Sequence, residues 1–179
     1  MRSSVPKAPA TRQDLMVYLK QLKIAITSQE HLPVFTVAES DALERHMPGG
    51  HTKNLFLKDA KGQLFLIVAE AHTIVDLKSL HKTLNCKRLS FGNADLLLAT
   101  LGIAPGSVTA FAVLNDRANQ VTVVIDKALM HFDIINCHPL VNSATSAIAR
   151  DDLLRFLCAT GHDPLIVDLT TSSTSLTGG

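Results

Sequence analysis

Aromatic residues make up only 4 % of this 179-residue sequence, with one tyrosine and no tryptophan. So few π-faces argue against a general single-strand binder that stacks bases along aromatic side chains. Cysteine is scarce too: Cys86, Cys137 and Cys158 are odd in number, far apart and without a CxxC pair. They read as reduced thiols of a cytoplasmic protein. Eight histidines occur without HExxH or Cys/His ligand spacing, so no metal is expected. GxxxxGK[ST] and GxGxxG are both missing, so nucleotide cofactors are not expected either. No apolar run reaches the ~18 residues of a membrane span, and Met1–Pro6 lacks the apolar core of a signal peptide. A membrane partner is not expected. A dominant charge is also missing: Lys+Arg 17 against Asp+Glu 16 leaves +1, which supplies no field for coating DNA.

What is present is apolar material, 46 % of the residues, enough for one domain with an ordinary core. Residues 1–10, with prolines at 6 and 9, read as a loose arm. Residues 11–169 read as the domain, and Ser/Thr/Gly-rich 170–179 as a disordered tail. Thr11 with Asp14 three residues on predicts a capped helix, and Leu15, Leu19, Leu22 and Ile26 carry it to Thr27-Ser28. A short strand is expected over 34–37 and a helix over 39–46, stopped by Pro48-Gly49-Gly50. Lys53–Lys58 and Gln63–Ala69 flank Asp59-Ala60-Lys61-Gly62 as a hairpin. Asp76–Leu84 is amphipathic; Asn93 caps a helix over Ala94–Leu101 that Gly102 ends. A second hairpin is expected from Val108–Leu114 and Gln120–Ile125 across Asn115-Asp116. Strands over Phe132–Cys137, Ala144–Ile148 and Pro164–Leu169, and a helix over Asp151–Thr160, complete the chain. Helices and hairpins without regular βαβ alternation predict an α/β (α+β) fold with a mixed, largely antiparallel sheet.

Three polar segments interrupt the apolar sequence. Gly49-Gly50-His51-Thr52-Lys53-Asn54 runs into a strand; Gly102-Ile103-Ala104-Pro105-Gly106-Ser107-Val108-Thr109 is a glycine-bearing turn; Asn136-Cys137-His138-Pro139-Leu140-Val141-Asn142 closes another strand. Lysine, glycine turn and histidine suit an anionic, carbonyl-containing ligand. Lys53 is either a snorkelling surface lysine or a point charge for a phosphate, and the glycine pair before it allows close backbone approach. Pro105-Gly106 is either a plain turn or the source of consecutive N–H donors from Gly106, Ser107 and Val108 for an oxyanion. His138 is either a histidine satisfied by a backbone carbonyl or a proton carrier. Asn142 either contacts a ligand or bonds its own turn. Cys137 and His138 are adjacent on a strand and point apart, which disfavours a Cys-His nucleophile pair. Lys78, His81, Lys82, Lys87 and Arg88 form a local basic stretch, read as a solvated helix face.

These segments, with Pro33-Val34-Phe35, Met47–Asp59, Leu89-Ser90-Phe91-Gly92 and His138–Asn142, resemble in order and spacing the YbaK/prolyl-tRNA synthetase-associated editing domains. The likeness is strongest to the free-standing prolyl-tRNA editing type, which hydrolyses alanyl-tRNA(Pro). It implies a compact YbaK-like domain that cleaves an aminoacyl ester without cofactor. The terminal ribose 2′-hydroxyl assists. The implied catalytic positions are Lys53, near the terminal adenosine and its phosphate, Gly106, first residue of the GxxxP loop, and His138, lining the aminoacyl pocket. The implied substrate-binding positions are Phe35, Val37, His51, Asn54, Ser107, Val108 and Asn142. One departure stands out: Ala110 replaces the loop's proline, which bears on substrate choice. The implied partners are the acceptor end of an aminoacyl-tRNA(Pro) and a prolyl-tRNA synthetase, with no specific DNA. The competing expectations are editing of seryl- or cysteinyl-tRNA, and a noncatalytic tRNA-binding or synthetase-docking module.

Overall fold

A computed structural model describes residues 7–33 and 37–170. The expectations for 34–36, including Phe35, for the Val37 side chain, for the first part of the arm and for the tail beyond Thr170 lie outside the described residues. The chain runs α1 (Arg12–Gln21), β1 (Ile26–Glu30), α2 (Val37–His46), β2 (Gly50–Asp59), β3 (Leu64–Glu70), α3 (Leu77–Thr83), β4 (Leu89–Phe91) and α4 (Ala94–Leu101). It continues through a 3₁₀ helix (Ala110–Asn115), β5 (Val121–Asp126), a second 3₁₀ helix (Lys127–His131), β6 (Ile134–Cys137), β7 (Ala144–Ala149), α5 (Arg150–Ala159) and β8 (Leu165–Val167).

The first helix starts as expected: the Thr11 hydroxyl accepts from the Asp14 N–H and the Asp14 carboxylate accepts from the Thr11 N–H. It stops earlier than expected. Lys23 takes φ +57°, the Lys23 N–H donates to the Lys20 carbonyl and the Ile24 N–H to the Leu19 carbonyl. This paired closure ends a helix through a left-handed residue, normally glycine. The chain then turns into β1, and Ile26, expected on the helix, opens that strand. A second correction concerns Val108–Leu114. Ala110–Asn115 is 3₁₀ rather than strand, with Ala110, Phe111, Ala112 and Val113 all buried. β5 therefore has no hairpin partner before it and pairs in parallel with β3.

The strands form one sheet in the order β1-β7-β6-β2-β3-β5-β8, with β4 on β2. Four of the seven pairings are antiparallel. The β2–β3 hairpin turns on Asp59, whose Oδ1 accepts from the Lys61 and Gln63 N–H groups and whose Oδ2 accepts from Lys87 N–H. Period-two alternation divides β3 between two cores. Leu64, Leu66 and Val68 join the larger, with α1, α4 and α5; Phe65, Ile67 and Ala69 join the smaller, with Leu80 of α3. β2 pairs with β3 along Thr52–Lys58. On its other edge it meets β6 only at Gly50 and His51 and β4 only at Leu57–Asp59. The stretch 52–56 of that edge has no strand partner among the described residues, and the candidate site lies beside this gap.

Candidate functional site

Each expected residue owes its place to a strand end or a turn. His138 follows β6, and its Nδ1 donates to the Ala144 carbonyl at 2.9 Å. His51, the second residue of β2, bonds through Nε2 to the Met47 carbonyl at 2.7 Å. Both line a recess of about 180 Å³ with Thr52, Asn136, Cys137 and Thr145, covered by Ser40, Leu43 and Glu44 of α2. Burial pushes the His138 imidazolium to lose its proton more readily than usual; the Ala144 hydrogen bond opposes this and nearby His31 adds to it. The ring is neutral at pH 7. Burial pushes the Cys137 thiol up to about 12, so it supplies no thiolate nucleophile.

Gly106 sits in the turn Ala104–Ser107. Its φ of +91° after Pro105, closed by the Ser107 N–H on the Ala104 carbonyl at 3.1 Å, marks a type II turn. That bond commits the Ser107 amide, one of the three donors expected for an oxyanion. The Gly106 and Val108 amides have no acceptor among the described residues. A Cβ at Gly106 would meet only Asn142, its Nδ2 at 3.9 Å, so the turn and the β6–β7 loop approach each other here. The loop carrying His138 and Asn142 is itself folded tightly, with Leu140 at φ +66° and its N–H on the His138 carbonyl. Ala110, where the motif has proline, is fully buried as the first residue of a 3₁₀ helix that Thr109 caps. A proline would also fit such a first position. The local geometry is set by the Thr109 cap and by burial rather than by a ring.

Lys53 and Asn54 stand on the unpaired stretch of β2 and take opposite faces. Lys53 follows Leu55 toward the smaller core, and its ammonium donates to the Thr73 carbonyl. Thr73 in turn donates from Oγ1 to Asp126 Oδ2 at 2.6 Å. An ammonium has three donors, so this bond leaves two for a ligand. Asn54 lies on the Phe56 side, and its Oδ1 is buried with no hydrogen-bond partner. The structure thus brings His51 to His138 and Gly106 to Asn142, and points Lys53 at Thr73. Lys78, Lys82, Lys87 and Arg88 are exposed on and after α3.

Sequence reasoning passed over Thr52, Asn136, Thr145 and His31. Thr52 donates from Oγ1 to the Asn136 carbonyl at 2.8 Å, stitching the site edge of β2 to β6. Asn136 is 2 % exposed; its Nδ2 reaches the Pro48 and Gly50 carbonyls, and its Oδ1 has no partner. The available signal was a polar residue at an otherwise apolar strand position. Among the described residues no group of His, Cys, Asp or Glu could hold a metal ion, and no helix is long and apolar enough to cross a membrane.

The site thus combines a small recess holding His138 with backbone donors on a glycine turn that approaches its loop. Residues 31–156 match the aminoacyl-tRNA editing domain, and the chain belongs to that family. It is 37 % identical over 159 residues to "Prolyl-tRNA editing protein ProX" of Acetoanaerobium sticklandii, covering 88 % of this chain and 97 % of the relative. It is 41 % identical over 158 residues to "Prolyl-tRNA synthetase associated domain-containing protein 1" of Danio rerio, covering 87 % and 86 %. A solved structure described as "a putative trans-editing enzyme for prolyl tRNA synthetase" shares the fold, with TM-score 0.66, 14 % identity, and 90 % and 99 % of the two chains covered.

Proposed function

We propose that this protein is a trans-editing hydrolase that deacylates mischarged tRNA(Pro), with alanyl-tRNA(Pro) its substrate. The observation that carries the reading is the uncommitted pair of amides at Gly106 and Val108 beside the His138–Asn142 loop, in a chain matched over most of its length by a prolyl-tRNA editing protein. An aminoacyl ester is already activated, so orientation of water and stabilisation of the oxyanion supply the acceleration. Water adds to the carbonyl carbon, the two amides receive the charge on its oxygen, and the bond to the ribose oxygen breaks. The departing ribose oxygen takes a proton. Lys53 anchors the terminal adenosine through its phosphate with the two N–H donors that Thr73 leaves, and Asn54 and His51 border the approach. His138 forms a wall of the aminoacyl pocket.

Selection rests on size. The recess is lined by both polar and apolar side chains, and a wall of that kind rejects larger side chains by clash, as in a second sieve. Proline is excluded as too large. The name shared by several relatives ties them to prolyl-tRNA synthetase, and that synthetase is the protein partner this reading assigns.

The test is loss of the ester from alanyl-, seryl-, cysteinyl- and prolyl-tRNA(Pro) on incubation with the purified protein. Fast loss of alanine alone is expected. Loss of serine or cysteine instead keeps the enzyme and refutes the alanine assignment. Binding of all four without turnover refutes the hydrolase.

A further inference from the structure

His31 stands just beyond β1, outside the segments that define the candidate site. Its backbone N–H donates to the Ser143 carbonyl at 2.9 Å. Its ring bonds at both nitrogens, Nδ1 to the Leu32 carbonyl at 2.7 Å and Nε2 to the Thr145 hydroxyl at 2.8 Å. A carbonyl only accepts, so Nδ1 carries the hydrogen and the neutral ring receives the Thr145 O–H at Nε2. His138 obeys the same logic. Its Nδ1–H is committed to the Ala144 carbonyl, which leaves Nε2 a bare lone pair without a partner among the described residues. The two rings lie 6.3 Å apart between centroids, tilted by 52°. Ser143, Ala144 and Thr145 are therefore each held by one of two histidines; Ser143 ends the loop that brings Asn142 to Gly106, and Ala144 and Thr145 open β7.

We infer that His31 is a positioning residue of this site: by gripping the start of β7 it presents His138 Nε2 to the recess as the acceptor for the substrate's α-ammonium group. The inference takes its substrate from the deacylase reading, but its geometry stands apart from it. An ammonium needs acceptors, and a charge-assisted hydrogen bond to an imidazole lone pair supplies one. A doubly protonated His138 has no lone pair and repels the ammonium. A proton on His31, 6.3 Å away, works against that protonation, and the grip on Thr145 survives it, Nε2–H then donating to the hydroxyl oxygen. The other titratable groups around the recess are His51 from β2, Glu44 from α2 and Cys137 beside His138. Glu44 is engaged by His72 at 3.0 Å, and Cys137 stays a thiol.

The experiment follows the His138 ring protons by NMR across pH in the free protein, wild type and His31→Gln, beside the pH profile of kcat/KM on alanyl-tRNA(Pro). His31→Gln is expected to raise the His138 midpoint by up to roughly half a pH unit, the size of a like charge at 6.3 Å in a water-like dielectric. The acid limb of kcat/KM is expected to rise with it. A lower rate with both midpoints in place makes His31 merely structural and overturns the inference. A shifted titration with an unshifted limb removes His138 Nε2 from contact with the ammonium and overturns it too. A wild type inert on every aminoacyl-tRNA, with the titration shift intact, refutes the deacylase and leaves the coupling of the two histidines standing. Thr145→Ser and Thr145→Val serve as a second pair should His31→Gln unfold. Serine, which keeps the hydroxyl, is expected to hold kcat/KM near wild type, and valine to lose about tenfold, the worth of one hydrogen bond. Equal values for serine and valine overturn the inference.

Discussion

Two sets of polar groups in this fold follow opposite rules. The carboxylates of Asp59, Asp116 and Asp126 are saturated. Asp116 accepts from the Gln120 and Val121 N–H groups and from His162 Nε2 at 2.9 Å; Asp126 accepts from the Glu70 and Ala128 N–H groups and from Thr73 Oγ1. Around the recess the pattern reverses. Asn54 Oδ1 and Asn136 Oδ1 are buried and unpartnered, and His138 Nε2 and the Gly106 and Val108 amides find no partner among the described residues. A buried acceptor left without a partner costs free energy, so the saturated hubs hold the fold while Asn54 and Asn136 spend stability on capacity to bind.

Substitutions in the two regions should therefore separate stability from activity. The largest effect is expected at a hub. Asp116→Ala strands buried donors, including His162, and should cost about 3 kcal/mol or more of unfolding free energy in urea. The fraction that remains folded should deacylate at the wild-type rate; a matching loss of rate would erase the distinction. Next comes Gly106→Ala. A Cβ has room there, so the damage comes from holding an L-residue at φ +91°. Relief of that strain turns the neighbouring amides away, and kcat should fall about 100-fold, as for loss of an oxyanion donor. The third variant inverts the first. Asn54→Leu removes a buried acceptor that has no partner, so stability should hold or rise by up to about 1 kcal/mol while deacylation falls. A clear loss of stability would show that Asn54 belongs with the hubs.

The smallest effects are set by pH. The His138 pKa lies below its ordinary 6.5 in the folded state, chiefly through burial. The unfolded chain therefore binds that proton more readily. The resulting stabilisation is present above 6.5 and is lost as the pH falls toward the folded value. Activity should fall on the same acid limb. His72 has the opposite sign: its hydrogen bond to Glu44 raises its pKa above 6.5. The contact that ties α2 to the β3–α3 turn is fully present below 6.5 and is lost as the pH rises through the raised value. Hydrogen exchange should show α2 amides better protected at pH 6 than at pH 8.5. Equal protection would remove Glu44–His72 as a support of that helix.

Much of this fold was legible because local chemistry decided it. The Thr11–Asp14 box, the Asn93 cap with left-handed Gly102 and the Asp59 hairpin all form among near neighbours in sequence. What escaped was decided elsewhere. Lys23 in a left-handed conformation carries no sequence signal, so Ile26 was assigned to a helix it does not join. Ala110–Asn115 has β-favouring residues, yet with Ala110–Val113 buried in the core and Thr109 capping it, the segment closes as 3₁₀. At the site, the turn at Gly106 was readable from Pro105-Gly106, whereas the commitment of the Ser107 amide to that turn was not. Nor was the aim of Lys53 at Thr73, since one strand position fixes a face and not a partner. Thr145 and His31 meet across 114 positions, a distance no motif spans.

That last separation also sets a timetable. The side of the recess at Thr145 joins the end of β1 to the beginning of β7, and all of β1 pairs antiparallel with Ala144–Ile148 of β7. On a ribosome the early strand must wait, unpaired along that edge, while the chain from α2 through β6 emerges. Contacts of such long range are the slow ones to form, and exposed strand edges are the vulnerable ones. The capped helix α1 and the β2–β3 hairpin can form early, but the two histidines meet only after β7 has followed β6, so the recess takes shape later than either.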